Sequence, residues 1–196
     1  NDAFPFGTSR EIELGFATVR ASRISYVGEL GWELYIPSEF TTGVWDVLVE
    51  AGESYGLRQV GMHAMNSLRI EKAYRHYGHD ITDADTPLEG GLGFAVKFDK
   101  PGGFVGREAL KRQKEAGLNK RLVQFLLGDP DPMLYHNEPI WRDGNLAGYV
   151  RSAMYGHTLG AAVALGYVEN PDGVDAEYVN SGTYEIEIAG VRYPAT

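Results

Sequence analysis

The chain contains no cysteine, which excludes disulfide bridges, thiolate metal sites and a cysteine nucleophile. That absence fits a reducing compartment. Bases are scarce too: 18 Lys and Arg stand against 27 Asp and Glu, giving a net charge of −9. The deficit holds along the whole length, with 13 bases and 17 acids through Gly117, then 5 and 10 beyond it. This balance argues against a nucleic-acid or anionic-membrane surface. No apolar run reaches the length of a membrane span, and the opening residues do not read as a signal peptide. The expected location is therefore cytoplasmic, or the mitochondrial matrix if the source is eukaryotic. No strand leads into a G-x-G-x-x-G turn, so the glycine pairs Gly90-Gly91 and Gly102-Gly103 do not predict flavin or nicotinamide binding. No Ser-His-Asp order with a nucleophile turn appears, which leaves hydrolase chemistry unsupported. The chain opens on Asn1 and closes on Arg192-Tyr193-Pro194-Ala195-Thr196, and is expected to be a piece of a longer protein.

The 196 residues, 43% hydrophobic and 23% charged, suffice for one or two globular domains. Glu11 to Phe16 alternates as a half-buried strand does. Trp32, Leu34 and Ile36 repeat that pattern after a bend bounded by Gly28 and Gly31, which predicts a hairpin. Ser38 is placed to cap a helix whose apolar face is Phe40, Val44, Val47, Leu48 and Ala51. A second helix is expected from about Met62 to Ala73, with Met62, Met65 and Leu68 on one side and Arg69 at the edge of that face. Gly93 to Phe98 reads as a strand, and a charged helix should run from Gly106 to Ala116 before stopping at Gly117 and Asn119. Beyond that point come short strands at 122–127, 139–141, 146–150, 162–168 and 183–188. Asp143-Gly144 is a strong hairpin signal and Ala189-Gly190 a weaker one. The expected fold is α+β, a mixed sheet-plus-helix domain over 1–117 followed by a small, truncated β-barrel over 118–196.

Chemistry concentrates in two places. Gly28 and Gly31 frame Glu29, so its carboxylate should stand free at the tip of a bend. Such a group can accept two parallel hydrogen bonds from a planar N–H pair. Acids in Gly-bounded turns are also commonly just solvated. Arg69 would supply a fixed cation for an anionic ligand tail, although a helical Arg can equally pair with a neighbouring acid. Tyr26, Tyr74, Tyr77 and Trp32 could stack on a flat ring, or could be core or interface residues. Of the five histidines, His76 and His79 are three apart, but Gly78 intervenes and no acidic relay is evident, so no metal site is expected.

Tyr26-Val27-Gly28-Glu29-Leu30-Gly31-Trp32-Glu33 resembles the tyrosine–x–glycine–glutamate–x–glycine motif of the aminomethyltransferase family, the T-protein of glycine cleavage. Gly61 to Asp80 resembles that family's next segment, and Thr86-Pro87-Leu88-Glu89-Gly90-Gly91-Leu92 its threonine–proline–hydrophobic–glutamate segment. Glu138-Pro139-Ile140 with Gly144, then Thr158-Leu159-Gly160 and Ala164 to Val168, resemble its C-terminal domain. The likeness runs in order from about Phe4 to Pro194. Ile70-Glu71-Lys72 and Lys100 to Glu108 look most like the folate-binding region of dimethylglycine and sarcosine dehydrogenases. The T-protein usually carries an Arg-Asp pair before Ser-Leu-Arg, where this chain has Met65 and Asn66; the change removes one cation and argues against a full T-protein activity.

The resemblance implies a tetrahydrofolate site using Glu29, Tyr26, Arg69 and Tyr77, with Glu29 accepting from the pterin amino group and ring N–H. It implies capture of a one-carbon unit from a methylated amine as methylenetetrahydrofolate, with flavin confined to a separate domain of the full-length protein. The family's assisting aspartate lies in a more N-terminal domain and is not matched by Asp2, so no catalytic residue is assigned and this piece is expected to be inactive alone. Two alternatives are a free-standing aminomethyltransferase or demethylase of the same fold, and a non-catalytic structural or regulatory subunit.

Overall fold

A computed structural model describes residues 2–196, which form two compact units, one extending through Asn66 and the other spanning Ser67–Thr196. In the first, strands β1 (Ser9–Leu14), β2 (Ala17–Ser22) and β3 (Glu33–Tyr35) make an antiparallel sheet in that order. Alternation puts Ala17, Val19 and Ala21 on the buried face. Val19 stands opposite Ile12 on β1. Ala17 and Val19 pack with Val44 of helix α1 (Thr41–Glu53), and Leu48 and Ile36 complete the cluster. The strand expected after the bend pairs in a hairpin with the bend in its long connection, but its partner is β2, a strand that the sequence pattern did not single out.

Two local expectations fail here. Gly15, at φ 60°, and Phe16 form the β1–β2 turn instead of extending the strand, and the Phe16 ring is fully exposed. Ser38 does not cap α1; it opens a 3₁₀ turn over Ser38–Phe40, and its hydroxyl bonds the Glu39 carboxylate next door. Local competition of this kind is common for short polar side chains.

Helix α2 (Met62–Glu71) is followed by an irregular stretch and helix α3 (Arg107–Ala116), which is bounded by left-handed Gly106 and by Gly117, as the sequence suggests. The buried residues of α2 are Ser67, Arg69 and Ile70, while Met62 is exposed. The expected Met62–Met65–Leu68 face is thus rotated toward its polar neighbours, because Arg69 and Ser67 find buried partners. Gly93 to Phe98 is not a strand. Ala95 and Val96 donate to Leu92 and Gly93 three residues back, so the backbone closes into a 3₁₀ turn, Gly93–Ala95, with Phe94 in solvent.

The remaining strands are β4 (Lys120–Leu126), β5 (Pro139–Arg142), β6 (Asn145–Gly156), β7 (Ala161–Glu169), β8 (Tyr184–Ile188) and β9 (Val191–Ala195), with a short helix α4 (Ala176–Ser181) before β8. They pair antiparallel in the order β4-β7-β6-β5-β8-β9. The sheet then closes on itself: Leu126 and Thr196 exchange hydrogen bonds of 2.7 and 2.9 Å, and Gly128 donates to Pro194 at 2.9 Å. The expected barrel is present. Both predicted hairpin turns form, with φ of 49° and 79° at Asp143-Gly144 and 50° and 83° at Ala189-Gly190. Phe125, Ile140, Val150, Val168 and Ile186 fill the interior. On the outside, Ile70 of α2 packs with Leu122, Val163, Leu165 and Tyr167.

A second tie to the barrel is ionic. Asp85, its side chain 1% exposed, accepts from Lys120 of β4 at 2.7 Å and from the Thr82 backbone and hydroxyl at 2.9 and 3.0 Å. Burial opposes ionisation, yet the bonds from Lys120 and Thr82 outweigh it and hold the carboxyl below its ordinary value of 3.8. The ionised form is therefore favoured by folding. Its contribution is fully present above that value and disappears as pH falls through the lower folded-state value. Urea unfolding of wild type and Asp85→Asn should show a stability gap that is constant near neutrality and shrinks below about pH 4. A gap unchanged at pH 3 would refute this account.

Candidate functional site

Strand β2 ends at Ser22, whose hydroxyl meets Ser9 at 2.7 Å, and pairing continues for one residue through Arg23 N to Thr8 O at 2.9 Å. The Arg23 guanidinium lies over the Trp32 ring, and Phe4 meets that ring edge-on with centroids 6.2 Å apart. Between these anchors residues 26–30 bend, with Gly28 at φ 75° and the Ser25 hydroxyl accepting from Val27 N at 3.3 Å. Glu29 is exposed on the bend and has no hydrogen bond or ion pair among the described residues. Tyr26, three residues earlier, is half-buried. The carboxylate thus stands where the glycines place it, on a backbone turn fixed at both ends.

Arg69 and Tyr77 belong to the other unit. Arg69 is 2% exposed and Asp80 0%. The Arg69 Nη1 donates to Asp80 Oδ2 and, at 2.9 Å, to the Tyr74 carbonyl, while Nη2 reaches the Ser152 hydroxyl at 3.1 Å. Ser152 donates in turn to Asp80 Oδ1. Asp80 Oδ2 also accepts from the His76 backbone N–H at 2.7 Å. The stretch from Tyr74 to Asp80 is closed internally by Gly78 N to Ile81 O at 2.8 Å and Asp80 N to His76 O at 2.9 Å. Tyr77 stands out from it, 68% exposed. The His76 and His79 rings lie 5.0 Å apart, and among the described residues no third metal-ligating side chain joins them.

A second anchor explains the Gly90-Gly91 pair. Arg75 Nε donates to Gly90 O at 2.9 Å and Nη1 to Ala73 O at 2.6 Å. Gly91 adopts φ 70°, and a β-carbon there would overlap the Arg75 guanidinium. These glycines seat an arginine. Burial outweighs the neighbouring Asp80 charge and holds the Arg75 pKa below its usual value. Helix α2 is also fastened to the β6–β7 turn. Ser67 donates to Tyr155 O at 2.6 Å and Glu71 accepts from Thr158 N at 2.8 Å. His157, in that turn, packs edge-on against Tyr155.

Sequence reasoning did not find Asp80, Ser152, Arg75 or Glu71 as supports. Asp80 is eleven residues from Arg69 and Ser152 is 83, separations that carry no helical or strand period. The one available signal was Asp80 itself, an acid closing the segment that Arg69 lies in.

A sheet-and-helix unit leading to a closed six-stranded barrel, with an unpaired glutamate on a glycine bend, defines a particular class of protein. Residues 1–100 match the model described as the GCVT N-terminal domain, and residues 120–196 match the glycine cleavage T-protein C-terminal barrel domain. The chain belongs to the glycine cleavage T-protein family. It is 45% identical to the mitochondrial sarcosine dehydrogenase of Homo sapiens over all of its own length and 21% of that protein. It is 40% identical to the mitochondrial pyruvate dehydrogenase phosphatase regulatory subunit of Mus musculus, over 99% of itself and 24% of that protein. The crystal structure of the glycine cleavage system aminomethyltransferase T from Bartonella henselae superposes with a TM-score of 0.82 at 24% identity, covering 100% of this chain and 52% of that one. That last likeness speaks for the fold alone. The chain spans about a fifth of the length of the first two relatives. No helix among the described residues is long and apolar enough to cross a membrane.

Proposed function

We propose that this chain is the tetrahydrofolate-binding region of a larger N-methyl amine dehydrogenase of the sarcosine or dimethylglycine type, where the released one-carbon unit is captured as methylenetetrahydrofolate. The observation that carries the reading is the Glu29 carboxylate, exposed and unpaired on a glycine bend in a chain of this family. A carboxylate so presented matches the adjacent N–H donors of a pterin, and Tyr26 and Tyr77 supply aromatic surface for the ring system. Arg69 is buried and engaged with Asp80, so its part in this reading is to support the second unit and not to meet the ligand. Oxidation of the amine would fall to a flavin domain elsewhere in the full-length protein, in the mitochondrial matrix if the source is eukaryotic. Within this region we place the division between the mixed sheet-and-helix part and the barrel after Gly117, the glycine that follows α3, whereas the compact units divide after Asn66.

Calorimetric titration of the full-length protein with 5-formyltetrahydrofolate tests this directly. A charge-assisted contact contributes about 1.5–3 kcal/mol, so Glu29→Ala should weaken binding about 10- to 150-fold. Saturable binding unchanged in the variant would remove Glu29 from the site. The kinship to a phosphatase regulatory subunit supports a second reading, a non-catalytic regulatory subunit that keeps the scaffold. It predicts no folate heat in either protein.

A further inference from the structure

The role of Arg69 is sharpened by what surrounds it. Its guanidinium, the Asp80 carboxylate and the Ser152 hydroxyl form a closed triangle. Ser152 has one proton to donate and gives it to Asp80, while accepting from Arg69, so it links the two charged groups. The triangle holds the Tyr74–Asp80 loop at three points: the Tyr74 carbonyl, the His76 amide and Asp80 itself. Of the loop's aromatic side chains Tyr77 stands furthest into solvent, at 68% exposure against 39% for Tyr74, with His79 exposed beside it.

Ser152 reaches the triangle through an irregularity in β6. Val150 pairs with Gly166 and Ser152 with Leu165, so Arg151 is an extra residue on that strand. Val150 and Ala153 both point into the barrel core, whereas Met154 packs with the outer cluster around Ile70. Without the bulge, Ser152 would share the inward parity of Val150. Bulges re-aim side chains in this way beside functional sites.

We propose that Asp80 and Ser152 are positioning residues, which act with Arg69 to fix the Tyr74–Asp80 loop and thereby set where Tyr77 meets its ligand. Arg69 works through the triangle and does not touch the ligand. The identity of that ligand, a reduced folate, rests on the function proposed above. A tyrosine held ready in this way loses little freedom on binding, which is the advantage of a preorganised contact.

The test combines two readouts on the full-length protein. Amide hydrogen exchange should be at least tenfold faster over residues 74–80 in Ser152→Ala, with β5 and β8 amides unchanged and the loop restored in Ser152→Thr. Affinity for 5-formyltetrahydrofolate should fall three- to tenfold in Ser152→Ala, but less than twofold when the change is made in a Tyr77→Ala background. Unchanged exchange in the loop, or an equal affinity loss in both backgrounds, would overturn the positioning role. No folate binding by wild type would instead sink the functional reading, while the exchange result still decides whether the triangle holds the loop.

Discussion

Replacing Asp80 by alanine is expected to destabilise the protein by about 3–5 kcal/mol, the usual consequence of removing one partner from a buried ion pair. Both side chains are almost wholly out of water, at 3% and 0% exposure. Truncation would take from the Arg69 guanidinium the carboxylate it is paired with, and would strip the His76 amide of its acceptor. Domains commonly have only about 5–15 kcal/mol of stability in total, so the variant should sit near its unfolding transition at physiological temperature. Urea unfolding measures the effect. The double change Arg69→Met with Asp80→Leu supplies the control: it removes both charges together and should be less destabilising than Asp80→Ala alone. A single-variant loss below about 1 kcal/mol would mean that the charge is compensated by water or another group, and the ion pair would not be the anchor described.

Gly148→Ala should be nearly as severe, for a steric reason. A methyl group at Gly148 on β6 would overlap the Tyr167 carbonyl oxygen of β7 and lie 3.0 Å from its carbon. Both atoms are backbone and cannot swing aside, so the two strands would have to part. Gly166 on β7 is the counterpart, since a β-carbon there would be 2.9 Å from Tyr149 O and would collide with the Ile140 side chain. The barrel wall thus comes together at a pair of residues without side chains, a recognised use of glycine in strands. We expect a loss of about 3 kcal/mol or more, the upper end of overpacking effects. Gly144→Ala is the comparison: its φ is 79° but an added methyl meets nothing within 4 Å, so only left-handed strain of about 1 kcal/mol applies. Thermal unfolding of the two variants separates the causes, and equal midpoints would defeat the close-approach argument.

What could be read from the sequence was whatever a short-range rule governs. Gly106 and Gly117 bracket α3 because they take conformations other residues resist. Asp143-Gly144 and Ala189-Gly190 turn the chain because paired positive φ suits the twist of a hairpin. The Glu29 bend was legible for the same reason. The errors lie where a tertiary contact overrides a local pattern. The strand expected at 146–150 runs on to Gly156 through its bulge. Gly93 to Phe98 has strand-like composition, but no partner strand takes it and its backbone turns on itself. Arg69 looked like a cation at the margin of an apolar face. It is instead held by an acid and a serine that no periodicity connects to it.

The seam between β4 and β9 has a temporal consequence. Leu126 and Thr196 are paired, so the first and last strands of the barrel are hydrogen-bonded neighbours although everything else in the barrel lies between them in the chain. During synthesis, the barrel cannot shut until its final strand has left the ribosome. Until then β4 and β8 present open edges, which are the features most prone to pairing with other chains. Contacts between such distant residues also slow the closing step, because a long loop must be ordered before they form. A nascent chain stalled just before Val191 would therefore be the species most exposed to misassembly and most in need of a chaperone.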